Sequence, residues 1–247
     1  MLLLYNLFIF FYGLGIRLAA LFGSEKAKQW VKGRRNVFSA LSKFSEPRTP
    51  HSRLIWFHCS SLGEFEQGRP VIEKLKINNE KLKIVLTFFS PSGYEVRKNY
   101  SGADLVCYLP MDSRKNAKRF IELVKPGEVY FVKYEYWYYY FKQLKEKNIP
   151  LYMVSAIFRN DHIFFKWYGN FFRRMLKSVT HFFVQDESSF KRLNAIGFNN
   201  ATVSGDTRFD RVAEIAVHPK GFPLVEKFCA GQNVIVVNLC LRQLVFY

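Results

Sequence analysis

Two carboxylates, Glu64 and Glu135, stand directly after short apolar runs, where a buried segment gives way to a loop. Glu64 closes the stretch His58-Cys59-Ser60-Ser61-Leu62-Gly63-Glu64. Gly63 permits a tight turn from strand to helix. Glu64 then begins the helix, whose N-terminal dipole favours the ionised carboxylate and readies it to accept a proton. The same spacing also spells a capping box, with Ser61 at the N-cap and Glu64 three residues on, which is a purely structural device. Glu135 lies in Val129-Tyr130-Phe131-Val132-Lys133-Tyr134-Glu135-Tyr136-Trp137, at the carboxyl end of a strand expected to be buried. An acid in that company is either paired or functional, and Lys133, on the same face by strand alternation, offers an ion pair. Further on, Gly205-Asp206-Thr207-Arg208-Phe209-Asp210 presents Arg208, which suits a phosphate or a developing negative charge, or else a salt bridge to Asp206 or Asp210. Ser90-Pro91-Ser92-Gly93-Tyr94 reads either as a turn whose amides face an anion or as an ordinary lead into a helix.

These loops need a scaffold, and the hydrophobic pattern supplies one. Short apolar runs at Leu54–Cys59, Ile84–Phe89, Leu105–Leu109, Val129–Val132, Leu151–Ser155, His181–Val184 and Ala201–Val203 predict strands. Between them, Glu64–Asn78, Arg114–Val124, Tyr138–Lys147, Tyr168–Lys177 and Glu187–Ile196 predict helices. This alternation implies βαβ units and a parallel sheet covered on both faces, so the expected fold is a doubly wound α/β domain. Ligands of such sheets bind at the carboxyl ends of the strands, where the candidate residues fall. No GxGxxG follows the first strand, and neither GxxxxGK[ST] nor GxSxG occurs. A dinucleotide dehydrogenase, a P-loop NTPase and a serine hydrolase elbow are therefore disfavoured.

The 247 residues suffice for one large domain or two small ones, and 49% hydrophobic residues exclude a disordered chain. Lys and Arg number 37 against 20 Asp and Glu, a formal charge of +17 that calls for an anionic partner. Cys59, Cys107, Cys229 and Cys240 are far apart and read as reduced, buried thiols. From Met1 to Phe22 the chain is almost continuously apolar, and basic residues Lys26, Lys28, Lys32, Arg34 and Arg35 follow it. That order predicts an uncleaved membrane-anchor helix, spanning or lying in the interface, with a cytoplasmic body. A first core helix of a soluble domain is the other reading. Residues from about Asn36 to Arg53 read as a linker. Between Phe158 and Lys177, aromatic side chains alternate with Arg159, Lys166, Arg173, Arg174 and Lys177. Together with Trp167 they suggest a surface for acidic headgroups, with nucleic-acid stacking as the rival.

At its loops the chain resembles the Kdo (3-deoxy-D-manno-octulosonic acid) transferases of lipid A glycosylation. The residues that carry the resemblance are Ser61-Leu62-Gly63-Glu64 (the family's SxGE), Ser90-Pro91-Ser92-Gly93 (its TPTG-like turn), Tyr108-Leu109-Pro110-Met111-Asp112 (YLPLD), Tyr134-Glu135-Tyr136-Trp137 (TELW) and Gly205–Asp210 (GNxKFD). The resemblance implies the Rossmann-like N-terminal domain of a GT-B glycosyltransferase and inverting transfer of Kdo from CMP-Kdo to a lipid A precursor. It makes Glu64 the catalytic base and places Glu135 and Arg208 where the transition state is stabilised, with Ser61, Gly63, Ser92 and Gly93 binding substrate. Lys133 and Tyr138 depart from the family's common Glu and Pro. No metal or cofactor is implied beyond the donor substrate, and nucleic acid is not an expected partner. The expected site of action is the cytoplasmic face of the inner membrane. The implied division is residues 1–35 as anchor and basic flank, 36–215 as acceptor-binding domain, and 216–247 as a linker with the start of a donor-binding domain. Gln232–Val236 resembles that domain's first strand, but VNLCLRQLVFY resembles no donor motif, as a truncated or frameshifted gene would give. The alternative from another class is a non-catalytic basic module that binds acidic lipid or nucleic acid.

Overall fold

A computed structural model describes residues 1–45, 53–79, 81–217, 221, 223–230 and 232. Three helices come first, α1 (Leu2–Leu21), α2 (Glu25–Arg34) and α3 (Val37–Ser45). The alternating part runs β1 (Leu54–Cys59), α4 (Leu62–Asn78), β2 (Lys83–Phe88), α5 (Pro91–Arg97), β3 (Leu105–Tyr108), α6 (Arg114–Val124), β4 (Glu128–Val132) and α7 (Tyr138–Glu146). It continues with β5 (Leu151–Ala156), a 3-10 turn (Ile163–Phe165), α8 (Asn170–Leu176), β6 (His181–Val184), α9 (Glu187–Ala195), β7 (Ala201–Val203), α10 (Arg208–Val217) and α11 (Pro223–Cys229). Met1–Asp210 forms one compact unit and Arg211–Tyr247 a second. The strand and tail expected at the C-terminus, from Asn233 onward, lie outside the described residues.

All seven strands are parallel, in the order β3-β2-β1-β4-β5-β6-β7. The expected doubly wound, Rossmann-like sheet is therefore the observed one. The winding reverses between β1 and β4, so a crevice opens at their carboxyl ends. Every residue of β1 is buried, as a central strand covered on both faces requires. On one face Trp56 packs 4.7 Å from Phe120 and edge-on, 5.1 Å, to Phe131 (centroid distances). On the other, Phe57 and Phe88 of the sheet share a core cluster with Phe65 of α4.

The N-terminal helices depart from expectation. The presumed linker contains α3, whose Val37 and Leu41 enter the main core. α1 is apolar as predicted, but it lies against the domain. Tyr5, Ile9, Gly13, Ile16 and Ala20, spaced by three or four residues, form its least exposed stripe. The rings of Tyr12 and Phe89 are 6.0 Å apart, and Asn6 accepts a 2.8 Å hydrogen bond from the Tyr139 hydroxyl. The rest of the helix, including Leu3, Leu4, Phe8, Phe10 and Phe11, is exposed. α2 is fastened by Arg34, whose guanidinium stacks 3.7 Å over Trp30 and donates to the carbonyls of Phe89 (2.7 Å) and Leu109 (3.0 Å). Gly33 must stay small, since a Cβ there would fall 2.1 Å from the Tyr108 ring.

One buried carboxylate joins these parts. The N-cap of α7 is Trp137, which has no side-chain acceptor for the first free amides. Asp112, 2% exposed, takes that place from another loop. It accepts from the amides of Tyr139 (3.0 Å) and Tyr140 (3.2 Å) and from the Tyr5 hydroxyl, while the Tyr138 amide donates to Tyr5 (3.2 Å). Burial pushes the Asp112 carboxyl up to about 6, although these donors pull the other way. Replacing Asp112 by Ala leaves buried amides without acceptors. Denaturant unfolding should show a loss of about 2–4 kcal/mol, and hydrogen exchange should accelerate in both α1 and the first turn of α7. Unchanged protection in α1 would show that the clamp does not hold that helix.

Candidate functional site

The crevice between β1 and β4 is where the motifs converge. Ser61 is the N-cap of α4, but its hydroxyl makes no capping bond, so the capping box is only half present. The half that exists is Glu64, whose carboxylate reaches back to accept from the Ser60 amide. Gly63 is not needed for a tight turn. It sits inside the first turn of α4 without a positive φ, and a Cβ there would meet nothing within 4 Å. What it provides is open space beside Glu64.

Burial and the nearby charge of Glu135 push the Glu64 carboxyl up to about 8, from an ordinary value near 4.5. The Ser60 amide and the Lys133 ammonium pull against that rise. A carboxyl so placed titrates where a proton acceptor for a hydroxyl must work. Glu135 does not pair with Lys133 as strand alternation suggested. The chain leaves the strand at Val132, and Lys133 takes a left-handed φ of +68°, which breaks the alternation. Glu135 instead faces His58 Nε2 at 3.4 Å. Lys133 lies within the electrostatic reach of Glu64, Asp206, Arg208 and Arg159, and burial with the Arg208 charge lowers its pKa. Lys133 and His58 belong to the site, though neither stood out as a site residue in the sequence.

The turn after β2 is the ordinary one of the two readings. Ser90 caps α5 by accepting from the Ser92 amide (3.2 Å), and the Ser92 hydroxyl lies 2.9 Å from that of Ser90. Its contribution to the crevice is proximity. The Ser90 amide donates to the Ser60 carbonyl (2.7 Å), and a Cβ on Gly93 would fall 2.3 Å from Phe88 and 3.1 Å from the Ser61 backbone. Gly93 thus lets α5 press against the turn that leads into the helix carrying Glu64.

Arg208 adopts the salt bridge, to Asp206, through Nε (2.8 Å) and Nη2 (2.5 Å), while its side chain stays 58% exposed. That pairing, despite partial burial, holds Asp206 down at about 2. The loop is latched to α4 on the far side. Gln67 Nε2 donates to Asp206 (3.1 Å), and the Thr207 hydroxyl donates to the Gln67 carbonyl (2.6 Å). The basic-aromatic segment divides. Trp167 is 90% exposed, with Arg159 and Arg174 exposed and Lys166 half-buried. Arg173, expected on the surface, turns inward and donates Nη1 to the carbonyls of Phe164 (2.8 Å) and Lys166 (2.9 Å).

The family described as 3-deoxy-D-manno-octulosonic-acid transferase (kdotransferase) matches residues 32–211. The 3-deoxy-D-manno-octulosonic acid transferase of Haemophilus influenzae is 27% identical over 166 residues, 65% of this chain and 39% of that protein. That of Aquifex aeolicus is 38% identical over 84 residues, 34% of this chain and 23% of the relative. A bifunctional glycosyltransferase/methyltransferase of Fusobacterium nucleatum is 26% identical over 180 residues, 71% and 27% of the two chains. The matched segment thus spans at most about two fifths of these relatives' lengths. Among solved structures, the UDP-GlcNAc 2-epimerase of Neisseria meningitidis, bound to UDP-GlcNAc, has a TM-score of 0.53 at 17% identity, covering 73% of this chain and 53% of that one. At that identity the likeness is one of fold.

The half-buried Glu64 carboxyl has a thermal signature. Its folded pKa lies above its unfolded one, so the stability it contributes is present at low pH and is lost as pH rises towards 8. Glu64→Gln, which keeps an acceptor for Ser60, should raise Tm relative to wild type, with the gain growing between pH 5 and pH 9. A gain that does not change with pH would refute the raised ionisation.

Proposed function

The chain belongs to the 3-deoxy-D-manno-octulosonic acid transferase family, and on that premise we propose that it carries the base-bearing, acceptor-side domain for inverting transfer of Kdo from CMP-Kdo to a lipid A precursor. The observation that carries this reading is the Glu64 carboxyl at the sheet's switch point, half-buried, pushed up to about 8 and flanked by Glu135 and Lys133. In its ionised form Glu64 takes the proton of the acceptor hydroxyl. The hydroxyl oxygen forms a bond to the anomeric carbon of Kdo from the face opposite the leaving group. The bond from that carbon to the phosphate oxygen breaks, and CMP departs with the electron pair. Glu135 supports the positive charge that develops on the sugar, and Arg208 with Lys133 faces the phosphate. Arg208 leaves its bond with Asp206 or shares it, which its exposure permits.

The same reading places the domain on the cytoplasmic face of the inner membrane. α1 is bound to the domain along one stripe through Tyr5, Asn6, Ile9 and Tyr12, while its other faces are apolar and open. This favours a helix lying in the interface over one that leaves the domain to span. The +17 charge then suits the acidic headgroups and the phosphates of the acceptor.

In the complete protein, assayed with CMP-Kdo and a lipid A precursor, Glu64→Gln should lower kcat by about 10²–10⁴. Wild-type activity in that variant would remove Glu64 from the role of base. Because the base works ionised, kcat/KM should rise with pH along a limb well above the ordinary carboxylate range. Glu135→Gln should move that limb to lower pH by removing the like charge. A limb that stays in place would mean the two carboxylates do not interact. Replacing Phe8, Phe10, Phe11 and Trp167 by Ser should weaken flotation with anionic vesicles several-fold, and undiminished flotation would overturn the interfacial reading of α1.

A further inference from the structure

Beneath Glu135, the side chain of His58 on β1 is wholly buried, yet both of its ring nitrogens meet polar partners. Nε2 lies 3.4 Å from Glu135 Oε2, at the long end of hydrogen-bond range. Nδ1 lies 2.8 Å from Thr87 Oγ1 on the neighbouring strand β2. The direction of each bond follows from a third residue. Trp56 Nε1, which can only donate, is 2.8 Å from the same Thr87 oxygen. The Thr87 hydroxyl therefore accepts from Trp56 and has one hydrogen to give, either to His58 Nδ1 or to the Phe57 carbonyl at 3.2 Å. Were it given to Phe57, Nδ1 would have to be the protonated nitrogen, and a singly protonated ring would turn the bare lone pair of Nε2 on the Glu135 carboxylate. Given to Nδ1, it leaves a single ring proton on Nε2, aimed at Glu135. The shorter contact and the absence of a clash between acceptors select the second arrangement.

We propose that His58 is a positioning residue for Glu135, and that a hydrogen-bonded series Trp56–Thr87–His58–Glu135 fixes its tautomer and so the orientation of the carboxylate. The inference rests on the transition-state role assigned to Glu135. The loop that carries Glu135 starts from the left-handed Lys133 and ends at the clamped start of α7. Its backbone is thus held at both ends, while the carboxylate between them has His58 as its described polar partner. Trp56 and His58 are also locked by aromatic neighbours, with Phe131 centred 5.1 Å and 4.8 Å from the two rings. An anchor of that stiffness limits the carboxylate to few orientations.

Histidine nitrogen NMR on the complete protein, with the His58 signal identified by its loss in His58→Gln, should show the Nε2-protonated tautomer in wild type. The opposite tautomer, or an average of the two, would overturn the proposal. Thr87→Val, close in volume, should release the ring into tautomer exchange, and a ring that stays fixed would show that Thr87 does not set it. In Kdo transfer, His58→Phe should lower kcat roughly 10- to 100-fold, the effect of one hydrogen bond to a charged group, with KM for either substrate within about twofold. His58→Gln, whose amide can donate to Glu135 and accept from Thr87, should recover most of that loss. Wild-type kcat in His58→Phe, alongside a strongly impaired Glu135→Gln, would sink the positioning role. Full activity in Glu135→Gln would instead remove the role of Glu135 itself. The NMR arm keeps the two failures apart, because the tautomer reports the hydrogen bond and not the reaction.

Discussion

The carboxylate of Asp112 holds together three pieces that would otherwise have no reason to stay in register. α7 begins at an aromatic residue that cannot cap it, α1 is an apolar rod with few polar handles, and the loop bearing Glu135 starts in a left-handed conformation. Each relies on the bonds centred on Asp112 and the Tyr5 hydroxyl. Burying a lone carboxylate is costly unless donors surround it. Here the donors are orphan amides that needed an acceptor of their own, so two liabilities cancel. Arg34 acts in the same way one loop over, joining α2 to the carbonyls at the ends of β2 and β3. The crevice is shaped by these cross-links between loops as much as by the sheet.

Within that frame the electrostatics of the site are in deliberate tension. Glu64 is placed in a poorly hydrated crevice beside a second carboxylate, and both influences oppose its ionisation. The amide of Ser60 and the ammonium of Lys133 partly restore it. Lys133 is itself destabilised by burial and by Arg208. A more comfortable arrangement would pair these charges off and leave none poised to change. The cost in stability is the usual companion of a site that must take up and release a proton.

Much of this was legible in the sequence, and the misses have physical reasons. The seven strands and the position of every motif at a strand's carboxyl end follow from apolar runs and intervening amphipathic stretches, because a parallel sheet buries its strands on both faces. α3 reads as linker in sequence because it is short and bordered by Ser and Pro, and its order comes from Val37 and Leu41 meeting the core. His58 carries no spacing signal in the sequence, since its partners Thr87 and Glu135 are 29 and 77 residues away. Strand alternation misplaces Lys133 because the positive φ at that residue ends the alternation. Arg208 presented two options, and the Asp two residues before it won in the structure because it caps the loop as well as pairing. A clue to Arg173 was available, since an Arg inside a run of aromatics can cross into the carbonyls of the preceding turn.

The clamp on α1 also has a consequence in time. Its partner groups lie far along the chain, the Tyr5 hydroxyl meeting Asp112 across 107 residues and Tyr138 across 133. At about 5–20 residues per second, the ribosome takes on the order of ten seconds to make that stretch. Throughout that interval this apolar helix is already made while Asp112 and Tyr138, which hold its stripe, are not yet both present. The stripe of the helix is therefore without its polar anchors until Tyr138 has been made, and the domain closes on a helix formed long before it.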